Sequence, residues 1–309
     1  MSLLFLSWLL LMSILVGCSS SNFFLSICML ELTMYTFLFM SYEYKLLSLV
    51  TSCIKYFFVQ SIGSIFLFLG GVAMVMLYLT NLSMSSLFLV GFILKLGAFP
   101  LFFWVIPVNS TLSYLMVGIL SSPMKILPLS IMVQYFSCYL ANISNYTYTI
   151  FLSGIFSIIT GMFLGLTSKT LRSMLGASSI AHTGWLFIAM PMSCTWHYFS
   201  FYSLGILSLF ASLVLSSSIL SSIGLLSLGG LPPFGVFTAK LWVVWQYMHS
   251  SMSMVFLVPI LASSALSLFY YMKYSFHYYL IYSLNSTYPL ICVILFTLNL
   301  FSGCFLLYM

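Results

Sequence analysis

The chain has 309 residues, of which 63% are hydrophobic and only 3% are charged, and its mean hydropathy is +1.20. Soluble domains carry about 25% charged residues, so this composition excludes a soluble enzyme and indicates a polytopic helical membrane protein. The net charge of +6 is spread along the whole chain and forms no basic stripe, so no nucleic-acid partner is expected.

About 20 apolar residues span the hydrocarbon core of a bilayer, and by that rule the sequence predicts eleven transmembrane helices. The predicted ranges are 3–18, 22–42, 56–80, 85–105, 112–136, 147–167, 174–191, 197–223, 228–248, 253–276 and 286–308. The connections are short, so the chain has no extramembrane domain large enough for a soluble active site.

The charges near the predicted helix ends define an orientation. Five cations lie in or beside loops that follow even-numbered helices, whereas loops after odd-numbered helices contain no Lys or Arg. The five are Lys45, Lys55 (interpreted as a helix-end cation), Lys169, Arg172 and Lys273. Because positive charge marks the inner side of a membrane protein, we expect the N-terminus on the inner side and the C-terminus on the outer side.

Four further charges lie near the middle of predicted helices: Glu31, Lys95, Lys125 and Lys240. A charge at the centre of a membrane helix costs about 2.5–3.5 kcal/mol on insertion scales, and a mid-helix lysine is generally too far inside to reach the headgroups. A purely structural pairing of Glu31 with one lysine would account for one cation of three. Since burial disfavours the charged form of an amine, such lysines can release and regain protons, which is the chemistry of a proton relay.

Two of these lysines lie beside residues that interrupt helices. Lys95 precedes Gly97 and Pro100, and Lys240 follows the segment GGLPPFG. Irregular backbone at membrane depth is tolerated where it is buried in protein or lines a wet cavity, and matching interruptions in the two halves of a transporter indicate its ion path. The alternative is that glycine and proline are simply common in membrane helices.

Four segments carry a family resemblance: KLGAFPLFFWV, SSPMKILPLSIMVQ, LRSMLGASSIAHTGW and LSLGGLPPFGVFTAK, in this order. Together they resemble the subunit 2 family of mitochondrial NADH dehydrogenase, respiratory complex I, in its short animal form. The match runs from about Glu31 to Trp242, and the last two helices fit by hydropathy only.

The resemblance implies a single antiporter-like membrane domain over residues 1–309. In that family the domain is an inverted repeat of two five-helix units, each with one broken helix. Here the units would cover approximately 22–136 and 147–248, which contain four of the predicted helices each, with peripheral helices at 253–308. The resemblance also implies that Glu31 tunes the first relay lysine, Lys95, that Lys125 is the central connecting lysine, and that Lys240 is the terminal lysine.

Three other positions bear on the relay. Phe102 stands where the family usually has a histidine and Pro107 where it usually has a glutamate, so a proton path that relies on those two groups lacks them here. His182 is a further candidate relay residue because histidine titrates near working pH. The alternative is a packing histidine that is hydrogen-bonded to a backbone carbonyl.

These observations favour a core membrane subunit of complex I (NADH:ubiquinone oxidoreductase) in the mitochondrial inner membrane, with the other membrane-arm subunits and inner-membrane lipids as partners. No cofactor or metal is expected on this chain, because no GxGxxG follows a strand and the seven cysteines form no CxxC pair. NADH, FMN, iron–sulfur clusters and ubiquinone are expected on other subunits. A stand-alone cation/proton antiporter and a purely structural membrane subunit are the alternatives.

Overall fold

The computed structural model describes residues 2–42, 47–76, 82–136, 144–250, 253–282 and 290–304. All regular elements in these ranges are helices, and none of the residues described forms a strand. Six of the helices are long and apolar enough to cross a membrane, by length and composition. The prediction of an all-helical membrane protein is therefore confirmed.

The chain divides into two compact units, Met1–Thr149 and Ile150–Met309. The helices that lie in the first unit are α1 (Ser2–Ser19), α2 (Phe23–Tyr42), α3 (Leu47–Met76), α4 (Leu82–Leu96), α5 (Val105–Thr111), α6 (Tyr114–Ser121) and α7 (Pro123–Tyr135). A Cβ atom on Gly91 would lie only 2.9 Å from the carbonyl oxygen of Gly63. The two glycines thus let α3 and α4 pack closely, as small residues do between membrane helices.

The second unit is built around one buried helix. Its helices, the first of which begins in the preceding unit, are α8 (Ser144–Thr167), α9 (Leu171–Ala189), α10 (Thr195–Val214), α11 (Ser218–Gly229), α12 (Gly235–His249), α13 (Leu257–Tyr282) and α14 (Leu290–Cys304). Every residue from Met174 to Ala189 is buried, so α9 is the central helix of this unit. Gly154 and Gly184 allow α8 to approach it closely, since a Cβ atom on Gly154 would lie 2.9 Å from the Gly184 oxygen.

The predicted fourth helix, 85–105, is wrong at its C-terminal end. α4 ends at Leu96, and Gly97 follows with a φ of +68°, a left-handed conformation that favours glycine. The Phe99–Pro100 peptide bond is cis. The helix resumes only at Val105, because an α-helix continues neither through a left-handed residue nor readily past a proline.

The predicted eighth and ninth helices, 197–223 and 228–248, are divided at the wrong places. α10 ends at Val214, Ser216 adopts a φ of +52°, and a separate helix, α11, runs from Ser218 to Gly229. The break that follows lies between α11 and α12, at residues 230–234. Serine side chains offer the backbone alternative hydrogen bonds, and here the Ser217 hydroxyl donates to the Ser212 carbonyl oxygen at 3.2 Å.

Two smaller corrections concern lysines. The predicted fifth helix, 112–136, is interrupted at Ser122, where φ is −121° and ψ is −76°. Pro123 follows and has no N–H to continue the helical hydrogen bonds. α3 begins at Leu47 and not near residue 56, so Lys55 lies inside a helix as an exposed side chain and not at a helix end.

Candidate functional site

The only acidic residue inside a predicted span contacts the first of the three lysines. Glu31 Oε1 on α2 lies 3.8 Å from Lys95 Nζ on α4. The Lys95 side chain is almost completely buried, whereas that of Glu31 keeps 28% of its surface exposed. A separation of 3.8 Å is an ion pair but longer than a direct N–H···O hydrogen bond. The resemblance implies that Glu31 tunes Lys95, and the structure brings these two groups into contact.

Backbone and side-chain donors satisfy the carbonyl groups at the broken end of α4. The last carbonyl groups of a helix lack intrahelical donors. Here Ile93 O accepts from the N–H groups of Gly97 and Ala98, Leu94 O accepts from the indole N–H of Trp104 at 3.0 Å, and Lys95 O accepts from the Gln60 amide at 3.3 Å. The interruption is thus hydrogen-bonded within the protein, as irregular backbone in a membrane must be.

In the second unit, the side chain of Lys240 contacts the interruption between α11 and α12. Its ammonium group donates a hydrogen bond of 2.9 Å to the carbonyl oxygen of Gly229, the last residue of α11. That carbonyl is one of those left without a helical donor, and the C-terminus of a helix carries partial negative charge that favours a cation. The interrupted backbone thus provides the hydrogen-bond acceptor for the Lys240 ammonium group.

An aromatic side chain and a glycine complete the surroundings of Lys240. The ammonium nitrogen lies 6.0 Å from the centre of the Trp185 ring, within the range of a cation–π contact. Gly230 has a φ of +88°, and a Cβ atom at this position would lie 3.1 Å from Lys240 Nζ. Glycine is therefore required both for the backbone conformation and for the space that the ammonium occupies.

Lys125 lies beside a third interruption, which sequence patterns did not predict. It is the third residue of α7, and its backbone N–H donates to Ser122 O at 3.1 Å. Its side chain is buried, with 8% of the surface exposed. Each of the three lysines thus lies within a few residues, or within hydrogen-bonding distance, of a point where a helix stops.

His182 is held between two tyrosine hydroxyl groups. Its Nδ1 lies 2.8 Å from the Tyr198 oxygen on α10, and its Nε2 lies 3.3 Å from the Tyr271 oxygen on α13. The Tyr198 ring also stacks on Trp185, at 6.1 Å between ring centres and an 11° angle. Since Trp185 lies over Lys240, the histidine and the lysine belong to one buried cluster of polar and aromatic side chains.

The candidate residues therefore form two groups. Glu31 and Lys95 meet in the first unit, which also contains Lys125, whereas Lys240 and His182 share a cluster in the second unit. Within the ranges described, no three His, Cys, Asp or Glu side chains are arranged to hold a metal ion. The chemistry available at both groups is proton binding and release.

Comparisons with known proteins identify the family. Residues 20–221 match the family described as NADH:quinone oxidoreductase/Mrp antiporter, TM. NADH-ubiquinone oxidoreductase chain 2 of Albinaria caerulea is 32% identical over 265 residues, which are 85% of this chain and 84% of the relative. The chain belongs to the NADH-ubiquinone oxidoreductase chain 2 family. The chain 2 protein of Lumbricus terrestris agrees, with 30% identity over 285 residues, 85% of this chain and 83% of the relative.

The fold of this chain 2 family member also matches a solved structure. A chain from the respiratory complex I of Thermus thermophilus superimposes with a TM-score of 0.81 over 98% of this chain and 78% of that chain. The sequence identity is 19%, so this likeness concerns the fold. The family predicted from the four sequence segments is confirmed.

The two positions that depart from the usual chain 2 pattern lie in the segment after the first break. Phe102 is partly buried and its ring packs on Phe99, with 6.3 Å between ring centres, and Pro107 is exposed within α5. Neither side chain can exchange a proton. The described proton-binding groups nearest to this break in the sequence are therefore Lys95 itself and the tyrosine at position 114.

Proposed function

We propose that this chain is a core membrane-arm subunit of proton-pumping respiratory complex I (NADH:ubiquinone oxidoreductase). In this proposal it translocates protons through a relay of Glu31, Lys95, Lys125 and Lys240, with His182 as an additional group. The redox reaction takes place on other subunits, which carry the NADH, FMN, iron–sulfur and ubiquinone sites. The chain is thus part of an enzyme without catalysing electron transfer itself.

The proposal depends on the combination of two findings, the family to which the chain belongs and the position of its buried lysines. The chain belongs to the chain 2 family over most of its length, and its buried lysines lie at helix interruptions. Lys95 faces a carboxylate and Lys240 faces a helix-end carbonyl. Each of these partners stabilises the charged amine, so a change in either contact changes how tightly the amine holds its proton. This is the property that a relay requires.

In the proposed relay each group has a distinct part. Glu31 provides the negative charge that faces Lys95, and its interaction with Lys95 changes when Lys95 gains or loses a proton. Lys125 has the part of the central connecting lysine and Lys240 that of the terminal lysine. His182, between its two tyrosine hydroxyls, is an additional proton-exchanging group in the cluster of Lys240. Histidine suits this position because both of its ring nitrogens bind protons and its charge changes near neutral pH.

The proposal includes an architecture of eleven membrane spans arranged as an antiporter-like inverted repeat. The helices support eleven spans if α4 with α5, α6 with α7, and α11 with α12 are each counted as one interrupted span. Each of the approximate units 22–136 and 147–248 then contains one interruption that is formed by glycine and proline and lies beside a lysine. In this architecture α13 and α14 are the peripheral helices. The many exposed apolar side chains of α1, α13 and α14 suit contact with lipid or with other subunits.

The proposed location is the mitochondrial inner membrane, with the N-terminus and the loops after even-numbered spans in the matrix. Lys169, exposed between α8 and α9, lies in such a loop, and Ser193, exposed between α9 and α10, lies in a loop of the other kind. We expect a Lys169→Cys variant to react with a membrane-impermeant thiol reagent only from the matrix side. Ser193→Cys is the matched control and should react only from the intermembrane side. The reverse labelling would overturn the topology.

The proposed assembly is tested by purification. We expect the tagged chain to co-purify in a large complex with NADH:ubiquinone oxidoreductase activity, because a relay without redox groups needs other subunits to drive it. The alternative, a stand-alone cation/proton antiporter, predicts a partner-free chain that exchanges protons for cations when it is reconstituted in vesicles. Recovery of that exchange activity without partners would exclude the complex I assignment.

A further inference from the structure

The last helix, α14, contains a completely buried asparagine that the proton relay does not use. Asn299 has 0% of its surface exposed. Burial of an amide in a membrane helix is costly unless its hydrogen bonds are made. Its carbonyl oxygen, Oδ1, accepts a hydrogen bond of 3.2 Å from the backbone N–H of Gly235, a residue that is 64 positions away in the sequence.

Gly235 is the first residue of α12, the helix that carries Lys240. The first N–H groups of a helix have no partner within it, and a side-chain oxygen from the preceding residue usually caps them. The preceding residue here is Phe234, whose side chain offers no acceptor and makes no cap. Asn299 supplies an acceptor for the first N–H group of α12 from another helix, which matters in a membrane because water is not available to replace it.

The same face of α14 also packs on α11, the helix that precedes the interruption. Cys292 and Phe296 pack in one buried cluster with Leu220 of α11. A Cβ atom on Gly224 of α11 would lie 3.2 Å from the Phe296 ring. Positions 292, 296 and 299 are spaced by four and three residues, so they share one face of the helix. α14 therefore bridges the interruption, packing on α11 and capping α12.

The consequence concerns the contact that crosses the break. Lys240 Nζ on α12 donates to Gly229 O at the end of α11. The length of this hydrogen bond depends on how the two half-helices are held relative to each other, and α14 is bound to both. We propose that Asn299 is a positioning residue, which caps α12 and thereby holds the Lys240 ammonium on the Gly229 carbonyl. This inference rests on the proposed relay for its effect on pumping, but not for its effect on geometry.

The test compares three variants in the assembled complex reconstituted into liposomes. Asn299→Leu has a similar shape without the acceptor, and Asn299→Asp keeps an oxygen at the same place. Thr297→Val removes a hydroxyl on the exposed face of the same helix, where it donates to Ile294 O. We expect Asn299→Leu to lower NADH-driven proton pumping about tenfold, the effect of one lost buried hydrogen bond of ordinary strength. Thr297→Val should stay within about twofold of the unchanged complex. Asn299→Asp should pump faster than Asn299→Leu, because a protonated, neutral aspartic acid keeps the acceptor oxygen without burying a charge.

A density map of each variant provides the second readout. In Asn299→Leu we expect the N-terminal turn of α12 to shift and the hydrogen bond from Lys240 to Gly229 to lengthen beyond 3.5 Å, the usual limit for such a bond. If Asn299→Leu does not assemble, Asn299→Ser takes its place, since its shorter hydroxyl bonds within its own helix and does not reach Gly235.

The two readouts separate the inference from the relay. Normal pumping in Lys240→Met would refute the relay, and the map of Asn299→Leu would then still decide whether Asn299 positions Lys240. Impaired pumping in Lys240→Met together with normal pumping and an unmoved α12 in Asn299→Leu would overturn the positioning role and leave the relay intact. Rescue by Asn299→Asp, in both pumping and geometry, supports it.

Discussion

A Lys240→Met variant is expected to assemble normally but to pump protons far more slowly, or not at all, for each NADH oxidised. Methionine has nearly the length of lysine and keeps the packing under Trp185, but it neither carries a proton nor donates to Gly229 O. Moving one proton against 100 mV requires about 2.3 kcal/mol. A hydrogen bond to a charged group contributes ~1.5–3 kcal/mol, so making and breaking the Lys240 contact changes the free energy of the proton on the scale that pumping needs.

The measurement is the ratio of protons moved to NADH oxidised in liposomes that contain the purified complex. Lys273→Met is the matched control, because Lys273 is exposed on α13 and the substitution is the same. We expect the control to keep the normal ratio. A normal rate and ratio in Lys240→Met would show that Lys240 is structural, and the relay assignment would be wrong.

The all-helical membrane fold and the choice of the four charged residues as site candidates could be predicted from the sequence, since both depend on local composition. Long apolar runs indicate membrane helices whatever surrounds them, and an isolated charge in such a run is conspicuous. Glycine and proline after Lys95 and before Lys240 likewise located two interruptions, because their backbone restrictions are intrinsic to the residues.

The errors arose where hydropathy does not report backbone geometry. The segment around Ser216 is apolar enough to be read as one continuous helix, yet the chain turns there through a left-handed serine. Hydropathy also did not reveal the interruption at Ser122, since a proline such as Pro123 within an apolar run is compatible with the first turn of a helix as well as with a kink.

Contacts between helices that are distant in the sequence could not be predicted from hydropathy or from the positions of charges, glycines and prolines. The partners of His182 are tyrosines on α10 and α13, and the cap of α12 comes from Asn299 on α14. A weak signal existed in each case, because a tyrosine or an asparagine in an apolar span requires a hydrogen-bond partner. The sequence does not say which helix provides that partner, because the answer depends on tertiary packing.

The second large effect is expected at the ion pair of the first unit. A Glu31→Gln variant keeps the shape of the side chain but removes the charge that lies 3.8 Å from Lys95 Nζ. Breaking a buried ion pair by removing one partner typically costs ~3–5 kcal/mol. Because the Glu31 side chain keeps 28% of its surface exposed, we expect a loss towards the lower end of that range. We expect proton pumping to fall together with the thermal stability of the complex, because the buried ammonium group of Lys95 loses its carboxylate partner.

A double-mutant cycle decides whether the two residues act as a pair. Glu31→Gln, Lys95→Met and the double variant are compared with the unchanged complex for pumping and for thermal unfolding. Because Lys95→Met removes the buried charge that Glu31 compensates, the double variant should be more stable than Glu31→Gln alone. Its pumping rate should be no lower than that of the slower of the two single variants. The hydrogen bond from the Gln60 side chain to Lys95 O involves no atom that these substitutions change, so we expect it to contribute nothing to the difference. Strictly additive losses would mean that Glu31 and Lys95 act independently and that the contact between them carries no part of the relay.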